Sequence, residues 1–245
     1  NRIVPQGDTT NIEVRLSDVA ALVDRTTNFI VTDQHLQLVD ELATSKRFKN
    51  IKLLNYVDEY DPDVQKQFAA MTYRLSLDTY LVVFRGTDDT LIGWKEDFHM
   101  TYMDHVPSQR RAASYLQHVM KEFPKGRFLV AGHSKGGNLA AYACSYLPDY
   151  LFERVDAIYS YDAPGLNKAI IETEGYQRTS PNIRRFVPQG SIVGMMLEVP
   201  EPTTIVKSRA LGGFAQHDAF TWETKDLSFV TVTETSPDSQ QTDLT

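Results

Sequence analysis

The segment from Arg127 to Tyr146 constrains this chain more than any other. An apolar run, Phe128-Leu129-Val130-Ala131, leads directly into Gly132-His133-Ser134-Lys135-Gly136, and Gly136-Gly137-Asn138-Leu139-Ala140-Ala141 then opens a helical segment. Two glycines bracketing a serine at this spacing arise by chance in roughly one chain of this length in ten, so the flanking elements decide the meaning. A strand that becomes a helix within a few residues needs a sharp backbone reversal. The glycines leave room for it, and the serine hydroxyl is carried to the tip of the turn. The helix N-terminus behind it favours negative charge developing there. Ser134 therefore reads as a nucleophile. The alternative is a glycine-rich turn with a capping serine.

The rest of the chain alternates strands and helices. Ser17 to Asp24 reads as a helix capped by Ser17, and Asp33 begins a second, with Leu38, Val39, Leu42 and Ala43 as its apolar stripe. Phe68 to Leu75 and Thr79 to Phe84 read as neighbouring strands. The nearly unbroken apolar run Tyr80-Leu81-Val82-Val83-Phe84 predicts burial on both faces. Ala112, Leu116, Val119, Met120 and Phe123 share a helical face that ends at Pro124 and Gly126. Further strands are predicted at Arg127–Ala131, Val155–Tyr161, Arg184–Val187, Thr203–Val206 and Leu227–Thr233. This alternation predicts an α/β fold with a mostly parallel central sheet and helices on both faces, its reactive groups gathered at the strands' C-terminal ends. The expected organisation is a single domain over residues 1–233 and a polar, flexible tail over 234–245.

Charge and cysteine content narrow the partners. A net charge of −7 argues against nucleic acid and against docking on an anionic membrane, leaving neutral acyl substrates open. No apolar run is long enough for stable membrane insertion. The single cysteine, Cys144, is expected to be a buried, inert thiol. The lack of a disulfide framework suits a reducing compartment, hence a cytoplasmic expectation. Asn1-Arg2-Ile3-Val4-Pro5 does not read as a secretory signal, and the absence of an initiator Met is compatible with loss of an upstream segment. Oligomeric state leaves no mark on the sequence.

Serine needs a base to take its proton. Where this turn carries a nucleophile, the base comes late in the chain, and of six histidines only His217 follows Ser134. His133 is expected to point away from the serine hydroxyl and to be structural. His35 and His118 fall in helices, while His99 and His105 remain open as substrate contacts. An oxyanion hole needs two donors: the backbone N–H of Lys135, and one from the loop Arg85-Gly86-Thr87, where Thr87 offers its N–H and hydroxyl. Read structurally, that loop is only a turn.

Phe84-Arg85-Gly86-Thr87, Trp94, Asp97 and the run Val130 to Ala140 together resemble the class 3 (fungal-type) lipase family. They are still more similar to a little-characterised bacterial branch of lipase-like α/β-hydrolases. The resemblance covers about residues 65 to 225. It implies the α/β-hydrolase fold, Ser134 as nucleophile, Thr87 and Lys135 as oxyanion hole, His217 as base, and hydrolysis of acyl or lipid-like esters with no metal or organic cofactor. It also implies that the region containing Trp94, Phe98 and Met103 lies near a lid or acyl pocket, although such residues also suit a core. The Lys135 side chain, where those lipases commonly carry Leu, is expected to face solvent.

The match breaks at the acid. Ser191 stands where such lipases carry an aspartate, and a serine cannot stabilise an imidazolium as a carboxylate does. Asp162, at the end of the strand following the Ser134 turn, is the favoured acid, with Ser191 as the substitute; Asp162 alternatively only caps the turn before Pro164. Asp218, adjacent to His217, is expected to point elsewhere. The missing aspartate leaves two other functions open: an inactive hydrolase-fold protein that binds a lipid or a partner, and an acyltransferase.

Overall fold

The computed structural model describes residues 13–27, 31–63, 66–87 and 105–233. Among them, eight strands form one mixed sheet whose spatial order equals their chain order: β1 (Val14–Arg15), β2 (Lys52–Asp61), β3 (Lys66–Arg74), β4 (Thr79–Phe84), β5 (Arg127–His133), β6 (Val155–Tyr161), β7 (Ile183–Pro188) and β8 (Thr203–Val206). The ladders from β1 to β4 are antiparallel and those from β4 to β8 parallel. The helices are α1 (Leu16–Ala20), α2 (Asp33–Thr44), α3 (Pro107–Glu122), α4 (Lys135–Ser145), α5 (Asp149–Phe152), α6 (Lys168–Ile171) and α7 (Glu174–Thr179). Helices flank both faces of the sheet, as expected of the α/β-hydrolase fold.

The parallel strands fall where their apolar runs predict. In β4, Tyr80, Val82 and Phe84 are buried, while Leu81 and Val83 are only half-buried, so the expectation of full burial on both faces is corrected. The inward residues pack in one core with the α3 stripe of Ala112, Tyr115, Leu116, Val119 and Met120, and α4 is buried along its whole length. Cys144 lies in that helix, and burial raises its thiol pKa.

Three elements differ from the sequence reading. The first helix ends at Ala20 and is not capped by Ser17, whose hydroxyl bonds Asp18 instead. Strand β2 has no clean apolar alternation because a bulge between Leu54 and Val57 switches its faces, with Asn55 at φ 54°. Asn55 is buried there and bonds Glu122 through its amide and the Tyr115 hydroxyl through its carbonyl. The expected strand at 227–233 is instead a hairpin of β9 (Thr224–Lys225) and β10 (Ser228–Phe229), plus an isolated bridge from Thr231 to Val206. Asp226 and Leu227 both hold positive φ, which a two-residue hairpin turn requires. This hairpin sets Phe229 against Tyr161, Phe186 and Trp222, with ring centroids 6.3, 5.6 and 5.5 Å away.

Candidate active site

Ser134 sits between β5 and α4 at φ 57° and ψ −135°, a backbone region that side chains disfavour. Close approach holds it there. A Cβ on Gly132 would lie 2.1 Å from the Gly136 carbonyl, and one on Gly136 would lie 2.1 Å from the Phe84 oxygen. The turn is pinned by Ser134 N–H to the Tyr161 carbonyl (2.9 Å) and by Gly137 N–H to the Ser134 carbonyl (2.9 Å). The loop after β4 lies against it, since a Cβ on Gly86 would be 3.3 Å from that of Ser134.

One strand along, Asp162 directly follows β6, also at positive φ (42°) and fully buried. Its Oδ2 is 2.6 Å from His217 Nδ1. Its Oδ1 accepts a hydrogen bond from Ser191 Oγ, which in turn accepts Gly194 N–H at 2.8 Å. With the carboxylate ionised, Nδ1–H is the donor of this pair, which turns Nε2 to the opposite side of the ring. Asp162 therefore touches the ring, and Ser191 touches Asp162. Among the described residues, no hydrogen bond joins Ser134 Oγ to that ring. Asp218 points elsewhere, as expected: its carboxylate accepts the Phe220 N–H at 2.9 Å.

His217 is held from behind. His133 Nε2–H donates to the His217 carbonyl at 2.8 Å, and the two rings lie 4.4 Å apart. Burial, and then the nearby His217, push the His133 pKa below its ordinary value, which favours the neutral ring. Trp222 Nε1–H donates to the Gln216 carbonyl (2.8 Å), while the Gln216 side chain accepts Gly190 N–H (2.8 Å) and donates to the Ala210 carbonyl (3.0 Å). These contacts join the segment carrying His217 to the loop carrying Ser191.

Lys135 contradicts its expectation. Its side chain is 1% exposed, and Nζ donates to the backbone carbonyl of Gln67 at 2.9 Å, with Gln67 Oε1 at 3.4 Å. The first turn of α4 is covered along with the rest of that helix, so no solvent-facing side remains at this position. Thr87 follows Arg85 and Gly86 at the end of β4, half-buried. Trp94, Phe98 and Met103, with His99 and Asp97, lie outside the described residues. His35 and His105 are engaged elsewhere, with Thr32 and with the Tyr142 hydroxyl.

Two buried residues escaped the sequence reading. Arg185, on β7, donates through Nη2 to the Ala163 carbonyl (2.7 Å) and to that of Gly194, bracing both loops around Asp162. Burial lowers its pKa. The signal was the pair Arg184-Arg185 within a strand, where alternation turns one of two neighbours inward. Asn138, on α4, donates to the Gly165 carbonyl (2.6 Å) and accepts from Gln109 (2.9 Å), tying the loop after Asp162 to α3.

A mostly parallel mixed sheet covered by helices on both faces, with a sharp strand-to-helix turn at its C-terminal edge, defines a protein of the α/β-hydrolase fold. Within that class the chain belongs to the Mbeg1-like family, whose model matches residues 42–245. No curated protein matches it. Among solved structures it is similar to a Rhizomucor miehei lipase propeptide complex, at 18% identity over 65% of this chain and 57% of that one, with a TM-score of 0.45. It is also similar to a lipase from Rhizopus microsporus var. chinensis, at 17% identity over 76% and 68% of the two chains (TM-score 0.45). A variant of MDLA from Penicillium cyclopium aligns at 14% identity over 78% and 76%, with a TM-score of 0.48. The chain spans little more than half the length of the Rhizomucor lipase. Among the described residues no helix is long and apolar enough to cross a membrane.

Proposed function

We propose that the protein is a serine hydrolase that cleaves carboxylic esters of acyl or lipid-like type through an acyl-enzyme. The observation that carries this reading is the 2.6 Å contact between buried Asp162 and His217 beside the strained Ser134 turn. His217 Nε2 takes the hydroxyl proton as Ser134 Oγ attacks the ester carbonyl. Asp162 holds the ring tautomer and stabilises the imidazolium that forms. The backbone N–H of Lys135 and the N–H or hydroxyl of Thr87 receive the oxyanion. His217 returns its proton to the leaving alcohol, and water then releases the acid by the same route. The chemistry uses side chains and backbone of this chain alone. The motifs shared with class 3 and bacterial lipase-like enzymes support a neutral acyl substrate.

Replacing Ser134 by Ala is expected to abolish turnover of a short p-nitrophenyl ester by the folded protein. Retained turnover sinks the assignment. A second reading, a non-catalytic hydrolase-fold protein that binds a lipid or partner, draws on the absent hydrogen bond between Ser134 and His217. Ligand-free sites often hold this contact loosely and tighten it only around substrate. A fluorophosphonate probe that fails to label Ser134 in the folded wild type decides for the second reading. Product analysis with competing alcohols separates hydrolysis from acyl transfer.

A further inference from the structure

The proton and electron movements described above leave the side chain of Lys135 unused, although an ammonium is costly to bury. Removing one from water costs several kcal/mol even after relaxation. A methionine would fill the same volume without that cost, so what distinguishes the lysine is what its charged end holds.

Nζ grips β3 at the Gln67 carbonyl. In the β3–β4 ladder Ala70 faces Phe84, and Arg85 N–H continues it to the Ala69 carbonyl at 2.9 Å. β3 runs antiparallel to β4, so Gln67 lies at the end of β3 where β4 gives way to the Arg85-Gly86-Thr87 loop. The carbonyl that Lys135 holds is thus two residues from the Ala69 carbonyl on which that loop begins. Lys135 also supplies the first backbone N–H of α4, directly after the nucleophile. One residue therefore spans the two structures expected to carry the oxyanion donors: its backbone belongs to the first, and its side chain is anchored on the strand that supports the second.

Resting on the serine-hydrolase reading, we propose that the Lys135 side chain is a positioning residue that fixes the spacing of the two oxyanion donors. It touches neither substrate nor base. It acts by tying the Ser134 turn to the end of β3, so that both donors converge on one point before substrate arrives.

The test compares wild type, Lys135→Met and Lys135→Gln by kcat and KM on a p-nitrophenyl ester, by affinity for a trifluoromethyl ketone, and by thermal melting. The ketone binds as a tetrahedral oxyanion and reports the donors directly. Loss of an oxyanion donor outright costs a hundredfold or more, so a displaced donor is expected to lower kcat of Lys135→Met by about ten- to a hundredfold. Ketone affinity should fall by the same factor, with KM within about twofold of wild type on the same reasoning. Melting is read alongside, and the losses in kcat and ketone affinity are expected at temperatures where both proteins remain folded. Lys135→Gln, too short to reach the carbonyl, should show the same paired loss and serves as the test if the methionine variant does not fold. Variants that keep wild-type kcat and ketone affinity overturn the proposal, whatever happens to their melting. A wild type that neither turns over ester nor labels at Ser134 fails at the underlying reading, and the inference falls with it.

Discussion

A residue with a side chain held at positive φ costs about 1–3 kcal/mol, and two neighbouring strands end on one: Ser134 at 57° and Asp162 at 42°. Each is held by a strand-end N–H bond, Ser134 to Tyr161 and Asp162 to Phe186. The strain at Asp162 aims its carboxylate at the His217 ring, while Ser191 occupies the other oxygen. Asp162→Asn is expected to lower kcat about 10⁴-fold, as loss of a triad carboxylate does elsewhere. Ser191→Ala removes one bond to a charged group, worth ~1.5 kcal/mol, and should cost only about tenfold. Initial rates on the p-nitrophenyl ester distinguish them, and the reverse ranking would return the acid's role to the Ser191 position. The sequence offered these two residues as alternatives. They meet because adjacent strand ends lie only about 4.8 Å apart, a proximity that residue order alone does not state.

At the level of elements, the elbow was readable because its strand is apolar, its turn glycine-rich and its helix well formed. The depth of its packing was not. Gly136 has no room for a side chain beside the Phe84 carbonyl. Gly136→Ala is therefore expected to destabilise the fold by about 3 kcal/mol, the upper end of ordinary overpacking, read as a lower urea midpoint. The burial of Lys135 is hidden for the same reason: a lysine suggests solvent, yet it lies on a helix with no solvent-facing side. Strand β2 was missed because its bulge breaks the alternation that identifies a strand. The sequence shows only a strand from Leu227 and not the hairpin, because the turn Asp226-Leu227 lacks the glycine that usually marks such a reversal.

Across the whole molecule, stability should depend on pH through His133. Burial and the nearby His217 hold its pKa below the ordinary 6.5, so the folded state binds this proton less readily than the unfolded chain. The resulting stability is present above that value and is lost as pH falls through the lower folded pKa. Wild type should therefore melt progressively lower as the pH falls below about 6.5. His133→Gln, which can still donate to the His217 carbonyl, should give a flatter curve over the same range. Parallel melting curves for the two proteins would mean that His133 is not the group responsible.

The sheet also adds each strand beside its predecessor, from β4 through β8. The segments after those five strands carry Thr87, Ser134, Asp162, Ser191 and His217 in that order. A ribosome therefore delivers the candidate machinery as a queue, nucleophile early and base last. On the proposed assignment, a nascent chain holds its nucleophile through the making of three further strands before the base that would activate it emerges.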